Sequence, residues 1–275
     1  METRYPAVAG MFYFGDPENL KKHLDKLFSG AKPGNYLGVV SPHAGYEYSG
    51  KTAALAIGSL KPGTKFIILG PNHTGFGNEF SMMSKGKWIT PLGDCEIDSK
   101  LAKELKSCKV LEDDVFAHER EHSIEVQLPF LQHTFKKFQF VPITIMGMGY
   151  SEDFLKRCEI LGKAIAKVMK DKEIRVIASS DFSHYVPAEE AKEKDNKAME
   201  KIKKLDTAGF FETLRETNAS VCGYAPIAVL LFTARELGLK KVDMIDYTTS
   251  GDKTGDMGSV VTYSAIGFGK NRAKH

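Results

Sequence analysis

The sequence FIILGPNH at residues 66–73 places four apolar residues directly before a polar cluster that ends in a histidine. Two more stretches repeat this arrangement, YLGVVSPHAG at residues 36–45 and VIASSDFSH at residues 176–184. Short apolar runs rich in Val and Ile are typical of buried strands in a parallel sheet, and such sheets bind ligands beyond the carboxyl ends of their strands. We therefore expect the histidine of each stretch to lie beside a pocket.

Strand-like and helix-like segments alternate along most of the chain. Further strands are predicted at residues 138–146, 174–178, 242–248 and 259–268, and helices at residues 17–28, 49–60, 154–169, 188–205 and 225–237. Asp16 and Pro17 form an N-cap and a first-turn proline, whereas residues 80–94 are interpreted as a hairpin or an edge excursion. This alternation predicts an α/β fold, a single domain over residues 1–275 with a mostly parallel central sheet flanked by helices.

The composition excludes several classes of protein. The chain has 275 residues and a formal net charge of +3, and its lysines are scattered among acidic residues, so no basic stripe indicates nucleic-acid binding. Its four cysteines are far apart and form no CxxC pair, which indicates a reducing compartment instead of a disulfide framework. No signal peptide is apparent, and no window approaches the roughly 20 apolar residues of a membrane span. We expect a cytoplasmic protein without a membrane segment.

Two further stretches have features of known functional motifs but do not fit them. Residues 118–122, HEREH, satisfy the HExxH pattern of zinc proteases, which requires both histidines on one face of a helix. The apolar period begins only at Ile124, with Ser123 as the predicted N-cap, so His122 precedes the helix. The glycine-containing residues 249–256 lack the spacing of a phosphate-binding loop and are interpreted as a hairpin connection.

His43 and His73 occupy equivalent positions after two predicted strands. Two imidazoles from neighbouring strand ends are the usual beginning of a transition-metal site. The third ligand could be a carboxylate or a thiolate, and Cys222 is the best-placed thiol. Cys222 lies directly before a predicted helix, where the helix dipole is expected to lower the pKa of a thiol. The alternative is that Cys222 is a small buried side chain of the core.

Asp181 and His184 share one serine-rich loop, which has three interpretations. The carboxylate could orient the histidine as a general acid or base. Together with Cys222, the same residues could form a thiolate, imidazole and carboxylate set of a hydrolase. The loop could also be a turn in which Asp181 caps the next segment. The spacing in the sequence leaves all three open.

Five motifs together resemble the Memo family along nearly the whole chain. They are PHAGYEYSG at residues 42–50, GPNH at residues 70–73, EHSIEVQLPF at residues 121–130, SSDFSHY at residues 179–185 and CGYAPI at residues 222–227. The resemblance implies an α/β domain similar to the catalytic subunits of class III non-haem iron extradiol dioxygenases.

The resemblance also implies roles for individual residues. The positions that match metal ligands of the family are His43, His73 and Cys222, and the implied metal is iron or copper, with zinc also suited to such ligands. His184 matches the acid–base histidine of the dioxygenases, and His122 and Asp181 match further pocket residues. Since Cys222 stands where the dioxygenases have a carboxylate ligand, ring cleavage is not carried over.

Three functional hypotheses follow from these observations. The first is a metal-dependent redox enzyme in which His184 moves protons. The second is a non-catalytic metal-binding or peptide-binding scaffold, and the third is a metal-free cysteine hydrolase that uses Cys222, His184 and Asp181. In each case the expected ligand of the strand-end pocket is a small molecule or a peptide, and the sequence does not specify the oligomeric state.

Overall fold

A computed structural model describes residues 2–270 of the chain. The α-helices are α1 (Pro17–Leu27), α2 (Tyr46–Gly58), α3 (Ser99–Leu105), α4 (Leu128–Thr134), α5 (Glu152–Met169), α6 (Ala188–Lys203), α7 (Thr207–Thr217), α8 (Tyr224–Glu236) and α9 (Gly251–Thr254). The strands are β1 (Thr3–Arg4), β2 (Gly38–Ser41), β3 (Lys65–Pro71), β4 (Phe80–Met82), β5 (Lys87–Thr90), β6 (Gly93–Ile97), β7 (Glu112–Asp113), β8 (Gln139–Ile145), β9 (Ile174–Ser179), β10 (His184–Val186), β11 (Lys241–Thr249) and β12 (Val260–Gly269).

All these strands belong to one sheet whose centre is parallel. Strands β6, β8, β3, β9 and β2 lie side by side in that order, and each pairs with its neighbour in parallel. Strand β12 continues the sheet antiparallel to β2 and pairs in turn with β11 and β10. The predicted α/β fold with a mostly parallel central sheet is confirmed.

Successive residues of the central strands face opposite layers of helices. On β3, Ile67 and Leu69 belong to one core cluster, whereas Phe66 and Ile68 belong to the other, and all four side chains are fully buried. Helices α3, α5, α6, α7 and α8 contribute to the first core, and α1, α2 and α4 contribute to the second. A strand buried on both faces needs apolar residues at every position, which is why these strands read as continuous apolar runs.

Several predicted elements are confirmed with small shifts. Asp16 caps α1 through its side chain, as predicted, and accepts a hydrogen bond from the backbone of Asn19. Residues 249–256 form most of the connection between the antiparallel strands β11 and β12 and include the short helix α9. Strands β5 and β6 form the hairpin expected within residues 80–94, and β6 extends just beyond that range to Ile97. Helices α3 and α7 were not predicted, although each has an aspartate at its N-cap.

The predicted helix start at Ile124 is wrong. A single 3-10 turn covers Glu125–Gln127, and helix α4 begins only at Leu128. Ser123 caps no helix, because its hydroxyl donates instead to the carbonyl of Pro71 at 2.8 Å. This bond ties the segment before α4 to the carboxyl end of β3. Within residues 2–270, no helix is both long enough and apolar enough to span a bilayer.

Candidate metal centre

The polar clusters of the sequence lie together at one edge of the sheet, beyond the carboxyl ends of three neighbouring parallel strands. His43 follows β2, His73 follows β3, and Asp181 follows β9, the strand that lies between them. One ligand atom each of His43, His73 and Cys222 lies within 4.8 Å of the other two. The closest pair is Cys222 Sγ and His43 Nε2, which are 3.2 Å apart. The structure therefore brings together the residues expected to hold a metal.

The imidazole of His43 is held by a hydroxyl group. His43 Nδ1 lies 2.9 Å from Ser179 Oγ, and Ser179 Oγ donates its single proton to the carbonyl of Ser123 at 2.7 Å. Since Ser179 has no second proton to give, His43 Nδ1 carries the hydrogen and donates it to Ser179. The lone pair of His43 is then on Nε2, the nitrogen that faces Cys222.

A buried glutamine completes this network. Gln127 donates from Nε2 to Ser179 Oγ and to the carbonyl of Pro42, each at 2.9 Å, and its Oε1 accepts from Ser41 at 2.8 Å. Gln127 and Ser179 are fully buried, as is Ser41. A network in which every donor and acceptor has a partner holds its members rigidly. The network holds the His43 ring from its Nδ1 side, which is the side away from Cys222.

His73 is oriented by a buried carboxylate. Glu121 accepts from His73 Nδ1 at 3.0 Å through one oxygen and from the backbone nitrogen of His73 at 2.5 Å through the other. A carboxylate that accepts from Nδ1 leaves Nε2 as the ligand atom of the ring, an arrangement common behind metal-bound histidines. Burial alone would raise the pKa of Glu121, but the hydrogen bond and charge of His73 hold it at about 2.

A glycine allows Glu121 to reach this position. A Cβ on Gly70 would lie 2.4 Å from Ser123 Oγ and 2.8 Å from Ile124 Cγ1, so a side chain there cannot be accommodated. The absence of that side chain lets the chain segment from Glu121 to Ile124 pack directly on the end of β3. Glu121 therefore lies beside His73, which follows the same strand.

Cys222 approaches the sheet by the same means. A Cβ on Gly223 would lie 2.3 Å from the carbonyl oxygen of Ser179 and 2.4 Å from Ser180 Cβ. Cys222 Sγ accepts a hydrogen bond from the backbone nitrogen of Asp181 at 3.3 Å.

Burial and the charge of Asp181 raise the pKa of the Cys222 thiol, which is the opposite of the predicted lowering at a helix start. Desolvation outweighs the helix dipole at this position.

His122 joins the two predicted ligand histidines in a cluster of three rings. Its ring stacks on His73 at a centroid distance of 4.9 Å and lies edge-on to His43 at 5.6 Å. Burial lowers the pKa of His122, and burial together with the charges of His73, His122 and His184 holds that of His43 well below its usual value. These two shifts favour the neutral imidazole that binds metals. Burial would also lower the pKa of His73, but the hydrogen bond and charge of Glu121 outweigh burial and raise that pKa instead.

His118, the other histidine of the HExxH pattern, lies elsewhere. Its ring is fully buried against Trp88, with a centroid distance of 5.7 Å, and it belongs to neither of the metal-capable groups of residues 2–270. His118 ends one 3-10 turn and His122 lies beyond it, so the two do not share a helix face. The interpretation of the pattern as accidental is consistent with this placement.

Asp181 and His184 lie near the cluster but are not joined to each other by a hydrogen bond. Asp181 accepts from the backbone nitrogen of His43 at 2.8 Å, and burial raises its pKa to about 6. His184 Nδ1 lies 2.8 Å from the carbonyl of Ser220, which can only accept, so Nδ1 carries the hydrogen. His184 is therefore oriented by a carbonyl group instead of the carboxylate, and its Nε2 is left as a proton acceptor.

The donor set at this edge of the sheet fits a transition metal. Two imidazole nitrogens and one thiolate suit iron, copper or zinc, and three protein ligands leave coordination positions for other molecules. Sequence reasoning did not assign roles to Glu121, Gln127 or Ser179, which orient the histidines. A sequence signal for the first two was present, since both lie in the stretch EHSIEVQLPF at residues 121–130, one of the motifs that carry the family resemblance.

Comparison with known proteins gives consistent results over nearly the whole chain. A family profile described as Memo-like protein matches residues 4–267. A MEMO1 family protein of Methanosarcina barkeri is 44% identical over 266 residues, which cover 96% of this chain and 98% of that protein. A MEMO1 family protein of Sulfurisphaera tokodaii is 45% identical over an alignment of 288 positions, which covers 97% of this chain and 99% of that protein.

A solved structure supports the fold at much lower sequence identity. The crystal structure of an uncharacterized protein from Escherichia coli K12 matches with a TM-score of 0.56 and 12% identity. The match covers 84% of this chain and 99% of that chain. At this identity the similarity concerns the arrangement of helices and strands alone.

Proposed function

Because this chain belongs to the Memo-like protein family, we propose that His43, His73 and Cys222 together bind one iron or copper ion. The observation that carries the proposal is the state of the two imidazoles. Each has its Nδ1 hydrogen committed to a fixed acceptor, Ser179 for His43 and Glu121 for His73. In the neutral form of each ring, Nε2 then carries the lone pair and faces the cluster that contains the thiol of Cys222.

The charges of the site also suit a divalent ion. A thiolate at Cys222 and the nearby carboxylates of Glu121 and Asp181 are negatively charged and would attract a metal cation. In the metal-free protein, burial raises the pKa of Cys222, so the thiol keeps its proton until an ion takes its place. Metal binding then releases this proton and should strengthen as pH rises.

A redox reaction is the finer form of this proposal. A bound iron or copper ion supplies Lewis-acid and one-electron chemistry at its open coordination positions. His184 supports this form, because the carbonyl of Ser220 leaves its Nε2 able to accept a proton from a substrate. A small molecule or a peptide segment would reach the site past His73 and His122, whose side chains are 35% and 23% exposed.

Metal content measured after anaerobic loading tests the binding proposal. The full chain is incubated with Fe(II) or Cu(I), dialysed, and analysed for metal per chain. We expect the wild type to retain about one ion per chain more than His43→Ala and Cys222→Ser retain. Cys108→Ser is the matched control, since this thiol is buried outside the site. Full retention of metal by Cys222→Ser, or none in the wild type, would contradict the proposal.

Activity measurements separate the three functional hypotheses. Dioxygen uptake by the iron-loaded protein with a catechol or ascorbate, lost in Cys222→Ser and slowed in His184→Gln, would support a redox enzyme. Retained metal without uptake would support a non-catalytic scaffold. The metal-free hydrolase requires activity that a chelator leaves intact and alkylation of Cys222 that is faster than that of the other cysteines. The structure pairs Cys222 with His43 instead of His184, which does not favour that hydrolase.

A further inference from the structure

A second group of metal-capable residues shares His73 with the site described above. One ligand atom each of His73, Glu121 and His122 lies within 4.8 Å of the other two. Both histidines approach the same carboxylate oxygen, since Glu121 Oε1 lies 3.0 Å from His73 Nδ1 and 3.5 Å from His122 Nδ1. Two imidazole nitrogens and one carboxylate oxygen are a common ligand set for zinc and copper.

Within residues 2–270, the charged groups that pair with the carboxylate of Glu121 are histidine rings, His73 and His122. The side chain of Glu121 is fully buried, and its oxygens accept from the backbone of His73 and Ser123 and from the His73 ring. The guanidinium of Arg4 reaches only the backbone carbonyl of Glu121, because it pairs with the carboxylate of Glu125. A metal ion beside this buried carboxylate would supply positive charge that otherwise comes only from protonated histidines, so its binding would be stabilising.

His122 has a nitrogen available for such an ion. Within residues 2–270, neither ring nitrogen of His122 takes part in a hydrogen bond, and the separation of 3.5 Å from Glu121 exceeds that of a good one. The ring is fixed all the same, since it stacks on His73 with an interplanar angle of 20° and contacts Phe12 edge-on. Its side chain is 23% exposed, so an ion from solvent can reach it.

We propose that His73, Glu121 and His122 bind a second divalent ion of the Zn²⁺ or Cu²⁺ type. His73 would then bridge two ions, with Nε2 toward Cys222 and Nδ1 toward Glu121. The proton on His73 Nδ1, which now forms the hydrogen bond to Glu121, would pass to solvent when the second ion binds. The bridge rests on the first ion proposed above, whereas the second group of ligands contains neither His43 nor Cys222 and can be tested by itself.

A titration of the metal-free full chain with Co²⁺ distinguishes the two sites. Thiolate bound to Co²⁺ gives a charge-transfer band in the near ultraviolet, whereas both sites give visible d–d bands. We expect about two ions per chain, one accompanied by the thiolate band and one without it. In His122→Gln we expect about one ion per chain with the thiolate band unchanged, and this band also reports that the variant is folded.

Two further variants make the result decisive. Cys222→Ser should lose the thiolate band and keep the ion that depends on His122. His133→Gln is the matched control, because this histidine lies outside the site beside Asp25 and should leave two ions bound. One ion per chain in the saturated wild type, or two in His122→Gln, would overturn the second site. Absence of the thiolate band in a wild type that still binds an ion through His122 would overturn the first site alone.

Discussion

Ser179 accepts a hydrogen bond from His43 over 2.9 Å because its own proton is donated to the carbonyl of Ser123. The hydroxyl therefore fixes which nitrogen of His43 carries the hydrogen. This relationship depends on β9 and on the irregular segment before α4 being packed together. Ser179 thereby sets the geometry of His43, although Ser179 is not itself one of the proposed ligands.

Ser179→Ala should weaken metal binding without removing a ligand. His43 loses the acceptor that fixes its ring, and loss of such a supporting partner typically costs 10–100-fold in metal affinity. Competition with a chelator of known affinity measures the change. Ser264→Ala is the matched control, because Ser264 is equally buried but its hydroxyl has no hydrogen-bond partner within residues 2–270. Equal affinities of the two variants would show that Ser179 does not position His43.

Glu121 should stabilise the metal-free protein above acidic pH. Although burial alone would raise its pKa, His73 holds it at about 2 against an ordinary value of 4.5. A pKa that is lower in the folded state contributes stability that is fully present above about 4.5 and is lost as pH falls through about 2. Urea unfolding at a series of pH values should show this acid loss in the wild type and a smaller one in Glu121→Gln. Parallel curves for the two proteins would contradict it.

Gly70→Ala should disturb both stability and metal binding. The new Cβ would overlap with Ser123 Oγ and Ile124 Cγ1, so the segment that carries Glu121 must move away from β3. Overpacking of this kind costs about 1–3 kcal/mol, and the displaced carboxylate would no longer orient His73. Gly15→Ala is the control, since its Cβ would have no neighbour closer than 3.4 Å. Unfolding and chelator competition measure the two effects, and an unchanged metal affinity would contradict the role of Gly70.

Arg4→Met should be strongly destabilising because it leaves a buried carboxylate without its cation. Arg4 and Glu125 form an ion pair with side-chain exposures of 2% and 0%. Removing one partner of such a pair costs about 3–5 kcal/mol. Arg157→Met provides the comparison, since its pair with Glu79 is partly exposed and should contribute about 1 kcal/mol or less. Chemical unfolding of the two variants measures the difference, and similar costs would contradict it.

The sequence predicted the parts of the fold that depend on local pattern. Strands β3 and β9 were evident because burial on both faces requires unbroken apolar runs, as in residues 66–69. Parallel pairing then implied that His43 and His73 lie at one edge of the sheet. Helix α3 was not predicted because it has only seven residues, and packing in the tertiary structure stabilises such a helix more than its own sequence does. Helix α7 is as long as α1 and was missed although Asp206 marks its N-cap.

The residues that orient the ligands could not be predicted from spacing. Glu121 and Gln127 lie in an irregular segment, and their positions depend on the close approach at Gly70 that no local pattern shows. Cys222 was singled out by the family resemblance and by its place before a helix. The expected lowering of its pKa was wrong, because burial at that position is a property of the assembled fold.

The three proposed ligands differ in how they meet solvent, and this difference orders the steps of loading. The side chain of His73 is 35% exposed, whereas His43 is only 3% exposed. An ion arriving from solvent would thus meet His73 first and pass inward to His43 afterwards. The outer histidine, beside Glu121, would then control the rate of capture, and the inner one would control the rate of escape. The end of β3 would thus admit the ion, and the end of β2, on the far side of β9, would retain it.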